Sequence, residues 1–481
     1  MKPKRPVPPA RRALIPGLLA VSMAGPAQAA DLLTITRDAL EHNTALASAR
    51  AEFSSVEAGR DVARGDLLPQ VTASGQVTHD RQYERQRSAL SGAGGGDDHY
   101  NSAGISLEAT QALYDARDSA ELDQAEREID RQTFRLAATE QQVLIDVASA
   151  YFDILRAHEI LEARRAQERA IGRQLEQARE QFDVGLIAIT EVEEARARFD
   201  QSRAERIAAE SNLQVSFEAL ERLTGERYES IEALQEGMPV TPPEPASRTA
   251  WVDLAMDHNP LVLAAEAGVE VSRSGLDIAR AQRLPVVEAF ASYDYADTDQ
   301  DGVEGHSSAS QVGARVSLPL YTGGRTSAGI RRSTYALEAS QYDFEDQRRQ
   351  TVQQVRSLFT QVSNDVATVE ARAQAIVSNQ SALDATRAGY EVGTRNIVDV
   401  LNAEQNLYDA VADHADARFD YVINLLTLRQ QSGTLDVAAI EALDDWLAED
   451  RGVSLSLPGA DGARDRYDEA MDIGDPPRPA S

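Results

Sequence analysis

Residues 392–400 read VGTRNIVDV, and residues 184–192, which lie 208 positions earlier, read VGLIAITEV. Other segments of the chain match in the same order at nearly the same offset. They are Glu41-His42-Asn43 with Asp257-His258-Asn259 and Leu68-Pro69 with Leu284-Pro285 at 216, Leu113-Tyr114 with Leu320-Tyr321 and Phe152 with Phe359 at 207, and Gly225 with Gly433 at 208. Ordered matches at a nearly constant offset indicate an internal duplication, so two halves of roughly 200 residues share one architecture.

The segments on either side of each VG pair lack the residues that stop helices. Residues 115–183 contain no proline and one glycine, residues 325–391 contain no proline, and residues 187–224 and 394–432 contain neither. Valines and a phenylalanine recur at 352, 355, 359, 362, 366 and 369, which is the spacing of a coiled-coil seam. A helix over 115–183 would be about 100 Å long. Each half therefore predicts two long antiparallel helices that meet at the VG turn.

Each half also predicts a shorter helix that ends at Leu-Pro and is followed by two strands. Along the second half, Val287, Ala289, Ala291, Tyr293 and Tyr295 alternate with mostly polar residues, and a polar, glycine-rich loop separates the strands. A lipid-exposed barrel wall requires such alternation, but a soluble β-hairpin alternates too. Four strands cannot close a barrel, for which eight is about the smallest number. A barrel would therefore require an oligomer, and a trimer would supply twelve strands.

The N-terminus and the composition limit the class of protein. A basic segment, an apolar run and Ala27-Gln28-Ala29 predict a signal peptide over 1–30, whose removal leaves a net charge near −35. Such an acidic chain does not suit nucleic acid. The chain has no cysteine, which excludes disulfides, thiol catalysis and a lipid-modified cysteine anchor. No later apolar stretch reaches the roughly 18–20 residues of a membrane helix, so membrane insertion would require a closed β-barrel.

These patterns divide the chain into five segments. They are a signal peptide (1–30), a first repeat (31–236), a proline-rich linker (237–247), a second repeat (248–445) and an acidic, disordered tail (446–481). The first repeat contains a helix over 31–64, a strand pair over 67–113 and a helix pair over 115–224. The second contains a helix over 248–282, a strand pair over 284–321 and a helix pair over 325–432.

Motifs for catalysis and cofactor binding are absent from the sequence. The seven histidines show no HExxH spacing, and no GxxxxGK[ST] loop occurs. Asp297-x-Asp299-x-Asp301-Gly302 resembles the start of a calcium loop, but its twelfth position is Ser308 and its flanks are strands. We therefore predict no catalytic residue, no metal and no cofactor, and hence no enzyme.

Five strings resemble the TolC family of outer-membrane efflux and secretion channels, over residues 31–445. They are LLPQ (67–70), AYF (150–152), FDVGLIAIT (182–190), VSLPLYTGG (316–324) and AGYEVGTRNIVDVL (388–401). The resemblance implies a mixed α and β membrane protein: a homotrimer with a twelve-stranded outer-membrane β-barrel, four strands per protomer, and a long periplasmic α-helical barrel. It also implies a passive channel for multidrug efflux, type I protein secretion or both. An inner-membrane efflux pump or ABC exporter would supply energy through a periplasmic adaptor protein.

The resemblance further implies a gate at the periplasmic tips. Tyr390 and Arg395 match residues that tie the inner and outer helix pairs together, and their partners would be Gln174, Thr190 and Glu191, the last of which replaces an aspartate. Asp399 matches an acidic ring at the entrance, and Asn402 replaces a second aspartate, which weakens the case for a cation-binding constriction. The tips that would dock the adaptor are Gly185, Leu186, Gly393 and Thr394.

Local structure offers a second interpretation of the same residues. Glu191 and Asp399 lie in the first turn of a helix, where the helix dipole favours a carboxylate by about 0.3–1 kcal/mol. Thr190-x-x-Glu193 could form a capping box, and the two glycines could be ordinary turn residues.

Two other protein classes remain as alternatives, a specific porin and a periplasmic coiled-coil scaffold. A porin would need more strands and no 100 Å helices, whereas a scaffold would not need the strand pairs. A channel of this kind could carry small drugs, metal ions or secreted proteins.

Overall fold

The computed structural model describes residues 29–83, 97–235, 237–300 and 305–454. Nine helices lie in this part of the chain: α1 Leu32–His42, α2 Thr44–Asp66, α3 Ala116–Asp183, α4 Ile189–Thr224, α5 Arg248–His258, α6 Pro260–Ala281, α7 Arg325–Glu391, α8 Ile397–Gln431 and α9 Val437–Asp444. The strands are β1 Gln70–Tyr83, β2 Asp97–Tyr114, β3 Ser230–Leu234, β4 Val286–Thr298, β5 Gly305–Ser317 and β6 Leu447–Ser454. Among these residues, no helix combines the length and the apolar character needed to cross a membrane.

The duplication appears as the same contact made twice. The Asn43 side chain accepts from backbone N–H groups at the start of α2 and donates from Nδ2 to the Leu223 carbonyl at 2.9 Å. Asn259 caps α6 in the same way and donates to the Gln431 carbonyl, also at 2.9 Å. In each repeat the asparagine of the repeated HN pair therefore starts one helix and binds the end of another. The spacing of the repeats in sequence thus reflects a repeated tertiary contact.

Glycine ends the long helices where the backbone must be left-handed. Gly225 follows α4 and Gly433 follows α8, both with φ of 74°. A Cβ atom on Gly433 would lie 2.2 Å from the His258 carbonyl oxygen, so this position also requires the close approach that only glycine permits.

Four antiparallel strands form one sheet in the order β1-β2-β4-β5. The register places opposite side-chain types on its two faces. One face is mostly apolar, with Val71, Ala73, Val77, Ala103, Ile105, Leu107, Ala291, Tyr293, Tyr295, Val312, Ala314 and Val316. The other is mostly polar, with Thr72, Ser74, Gln76, Thr78, Ser102, Ser106, Glu108, Ser292, Asp294, Gln311 and Arg315. β4 and β5 confirm the alternation predicted for the second strand pair, and the register gives the first pair the same two faces.

A second, two-stranded sheet was not predicted. β3 pairs with β6 in antiparallel register, and Ala30 bridges to Ile231 on the other side. The prediction of a disordered tail from 446 is therefore wrong for residues 447–454, and the rest of the tail lies outside the described residues. The short acidic segment LAEDRGVS has little β-propensity, and it forms a strand because its partner edge is held by the core. Most of the predicted signal peptide, residues 1–28, also lies outside the described part.

The largest core lies beside this small sheet. Tyr151 and Phe152 of α3 and Phe419 of α8 are fully buried there. The Tyr151 hydroxyl donates to the Glu232 carbonyl at 2.7 Å, which ties the long helix to β3. The AYF string thus supplies the packing centre from which both helix hairpins extend.

Candidate functional site: the tips of the helix hairpins

The two long hairpins end in turns of the same geometry. In the α3–α4 turn, Gly185 has φ of 77° and the Leu186 N–H donates to the Gln181 carbonyl at 2.8 Å. In the α7–α8 turn, Gly393 has φ of 75° and the Thr394 N–H donates to the Gly389 carbonyl at 2.9 Å. A Cβ atom on either φ-positive glycine would meet nothing within 4 Å. The left-handed backbone, and not crowding within the chain, accounts for both glycines.

An apolar cluster holds the two turns together. It joins Ile171, Leu175 and Ala178 of α3, Val192 and Ala195 of α4, and Ile397 and Leu401 of α8. Beyond this cluster, Val184, Leu186 and Val392 are more than two-thirds exposed. The tip therefore has a packed interior and an apolar outer rim, which is unusual for a region that faces only water.

Tyr390 links the two hairpins, but with a partner that the sequence did not indicate. Its hydroxyl donates to Gln181 Oε1 at 2.8 Å, and not to Gln174, Thr190 or Glu191. Burial raises the pKa of Tyr390, and the nearby Glu191 carboxylate raises it further. Thr190 is exposed in the first turn of α4. Within the chain, Tyr390 therefore contacts the α3–α4 hairpin through Gln181.

Arg395 and Asp399 contact each other within one helical turn. Arg395 Nη1 lies 3.8 Å from Asp399 Oδ2, and both side chains are exposed. Asp399 also completes a capping box, in which the Asn396 side chain accepts from the Asp399 N–H at 2.8 Å. An exposed pair of this kind contributes about 0.3–0.5 kcal/mol. Within one chain these residues fit the capping interpretation.

The capping box that Thr190-x-x-Glu193 offered as an alternative interpretation does not form. Helix α4 begins after Ala188, whose side chain makes no cap hydrogen bond. The motif fails because the helix starts earlier than it requires, which places Thr190 inside the first turn.

Asn402 faces an arginine that sequence analysis missed. Arg198 of α4 donates from Nη2 to Asn402 Oδ1 at 2.9 Å and from Nη1 to Gln405 Oε1 at 3.1 Å. One guanidinium therefore joins α4 to α8. No signal in the sequence could have identified this pairing, because the residues are about 200 positions apart and neither lies in a repeated motif.

Gln174 meets a buried carboxylate, Glu404 of α8. Gln174 Nε2 donates to Glu404 Oε1 at 3.3 Å, and Arg387 Nη2 of α7 donates to the same oxygen at 2.7 Å. The Glu404 side chain is fully buried, whereas Arg387 is 39% exposed. Glu404 continues the apolar seam of Ile397, Leu401 and Leu407, so a charged residue at seam spacing was the signal that could have revealed it.

Comparisons with known proteins match the two-repeat architecture. The sequence profile of the family described as outer membrane efflux protein matches residues 35–226 and 251–434, one match in each repeat. The chain is 35% identical over 413 residues to the outer membrane protein TolC of Vibrio cholerae, covering 85% of this chain and 91% of that protein. It is 31% identical over 413 residues to the alkaline protease secretion protein AprF of Pseudomonas aeruginosa, covering 84% of each.

Solved structures share the fold at lower identity. CusC superposes with a TM-score of 0.72 at 18% identity, covering 89% of this chain and 99% of that one. The Campylobacter jejuni CmeC outer membrane channel superposes with a TM-score of 0.70 at 15% identity, covering 93% and 98%. The long hairpins and the four-stranded sheet are therefore arranged as in these channels.

Proposed function

This chain belongs to the outer membrane efflux protein family, whose members are channels and not enzymes, and we propose that it forms a passive exit duct as a homotrimer. It is an outer-membrane protein of the TolC type. The proposal covers what lies beyond that family assignment: the assembly, the closure of the tip, the partners and the cargo.

The two-faced sheet is the observation that carries the proposal. The apolar residues of β4 run from Val287 to Tyr295, about 27 Å along the strand, which is close to the length of a tilted membrane-spanning strand. The sheet ends in β1 on one side and β5 on the other, and open edges are not tolerated in lipid. Three copies, joined β5 to β1, would close twelve strands with the apolar face toward lipid and the polar face toward the lumen.

The helix hairpins would continue this lumen across the periplasm. Helices α3 and α7 contain 68 and 67 residues, so each is about 100 Å long. Three protomers with two hairpins each would place twelve helices side by side around a tunnel. Neither a porin nor a soluble scaffold accounts for both the two-faced sheet and helices of this length.

The hairpin tips would form the closed end of the tunnel and the adaptor-docking surface. Tyr390–Gln181 and Arg198–Asn402 tie the α7–α8 hairpin to the α3–α4 hairpin, so opening requires these weak polar links to separate. Arg395 and Asp399 are exposed and free to act between protomers as well as within one. The exposed Leu186 and the turns around Gly185, Gly393 and Thr394 offer an adaptor both apolar contacts and close backbone approach.

Energy would come from outside the chain. The sequence contains no nucleotide-binding loop, so an inner-membrane efflux pump or ABC exporter, joined through a periplasmic adaptor, would drive export. The names of the relatives include a protease secretion protein, which favours type I secretion as one use of the channel and leaves drug efflux as the other.

Cross-linking and fractionation test this proposal. We expect a heat-modifiable trimer in outer-membrane extracts, cross-linked through the hairpin tips to an adaptor and with it to a pump. Replacing Gly185 or Gly393 with tryptophan should abolish export while trimers still assemble. A monomer in the soluble periplasmic fraction would refute the channel, whereas a trimer that is never cross-linked to an adaptor or a pump would indicate a porin.

A further inference from the structure

The buried carboxylate of Glu404, and not the exposed Arg395–Asp399 pair, is the charged group that bears on closure of the channel. It lies where α3, α7 and α8 meet, and one of its oxygens accepts from both Gln174 and Arg387. Its other oxygen, Oε2, is buried and has no hydrogen-bond partner among the described residues. Arg387 is the cation that the structure places against this carboxylate, at 2.7 Å.

The two members of this ion pair are not equivalent. Glu404 is fully buried, so its carboxylate is shielded from water and its negative charge is compensated by the Arg387 guanidinium. Arg387 is 39% exposed, so its guanidinium can turn to water when the carboxylate is neutral. Loss of the arginine therefore leaves a buried, uncompensated charge, whereas loss of the negative charge leaves a cation that water solvates.

The Glu404 carboxylate lies between the two hairpins, so its charge affects whether they separate. Gln174 belongs to the α3–α4 hairpin, and Glu404 and Arg387 belong to the α7–α8 hairpin, so the carboxylate lies at the surface between the two hairpins. An uncompensated Glu404 would be solvated only if these hairpins separated and admitted water. We propose that Arg387 keeps the channel closed by neutralising Glu404, and not by a bond across the gate. The inference rests on the proposed channel with a closable tip.

Reconstituted trimers in planar lipid bilayers test this inference through four variants. Arg387→Met should raise the fraction of open channels by at least about tenfold, because breaking a buried pair from one side is strongly destabilising. Glu404→Gln, which keeps an oxygen for Gln174 and removes the charge, should behave as the parent. The double variant Arg387→Met with Glu404→Gln should return to the parent level, since no buried charge remains.

Arg372→Met is the matched control. Arg372 of α7 pairs with Asp413 of α8 at 2.5 Å, between the same two helices, but both side chains are about half exposed. Water can solvate Asp413 without any movement, so this variant should keep the conductance of the parent.

Three other results would contradict the role proposed for Arg387. If the double variant is as open as Arg387→Met, Arg387 closes the channel independently of the charge of Glu404. If Arg387→Met and Glu404→Gln raise the fraction of open channels equally, the bond between the two residues closes the channel. Loss of trimers in Arg387→Met would assign the pair to folding. Each of these results overturns the inference while the channel stands. Absence of any conductance from parent trimers and from Arg387→Met would instead refute the proposed function.

Discussion

Arg198 donates to Asn402 at 2.9 Å, and through this contact α4 of the first hairpin holds α8 of the second. The resemblance to the family led us to consider Asn402 as a lost carboxylate in an entrance ring. The structure places it against a guanidinium instead. A carboxylate at this position would therefore be neutralised by Arg198 before it could attract cations from solution.

We expect Asn402→Asp alone to leave block by trivalent cations weak and to lower the basal conductance, because an ion pair replaces a hydrogen bond from a guanidinium to a neutral amide. The double variant Arg198→Gln with Asn402→Asp should bind trivalent cations tightly, because the proposed trimer would then present three added, uncompensated carboxylates at its entrance. Current block in planar bilayers measures both. Tight block in Asn402→Asp alone would show that Arg198 does not reach this position in the trimer.

Tyr390→Phe removes one neutral hydrogen bond to Gln181, worth about 0.5–1.5 kcal/mol. We expect a modest rise in single-channel conductance, and a larger one when Arg395→Ser is added. Tyr342→Phe is the control, because Tyr342 is 69% exposed on α7. If all three variants conduct as the parent does, Tyr390 and Arg395 only stabilise the ends of helices.

The paired asparagines predict equal effects in the two repeats. Asn43→Ala and Asn259→Ala each remove a helix cap, which costs about 0.5–2 kcal/mol, and a bond to a helix-end carbonyl. Thermal unfolding followed by helical circular dichroism should show similar losses. Asn43→Asp should lose less, because the aspartate keeps the cap and gives up only the donor. A loss confined to one repeat would contradict the structural equivalence.

Gly433→Ala should prevent folding, because its Cβ atom would overlap the His258 carbonyl and its φ is left-handed. Gly393→Ala has the same backbone conformation but free space, so it should assemble with a loss of about 1 kcal/mol. Yield of heat-modifiable trimers distinguishes them. Comparable yields would show that the α8 end can move away from α5.

Lowering the pH should remove a destabilising negative charge from one carboxylate of α8, Asp416. Burial raises the pKa of the half-buried Asp416 against the attraction of Arg156, and Asp420 raises it further. Because the folded pKa lies above the unfolded one, ionisation of Asp416 opposes folding in full above the folded pKa. This cost falls as the pH drops through the folded pKa and is gone below the unfolded pKa. Asp416→Asn should therefore raise the unfolding temperature at neutral pH, by a margin that shrinks as the pH falls. Asp384 of α7 is exposed and provides the control, so Asp384→Asn should show no such gain.

The sequence by itself determined the repeat, the hairpins and the strand pairs. Each is local or periodic: proline and glycine mark the ends of helices, a 3–4 seam runs along α7, and a period of two marks β4. Such patterns follow from the local geometry of helices and strands and do not depend on the rest of the chain. The glycines at 185 and 393 fall in this class, since their left-handed turns follow from two helices that reverse direction.

Only the tertiary structure decided which side chains meet at the tip. Tyr390 donates to Gln181 instead of Gln174, Arg198 donates to Asn402, and Glu404 is buried against Arg387. The relative rotation of four helices sets these pairings. The pairing of β6 with β3 belongs to the same class. Contacts between residues some 200 positions apart depend on how whole helices pack, and neither composition nor periodicity encodes that rotation.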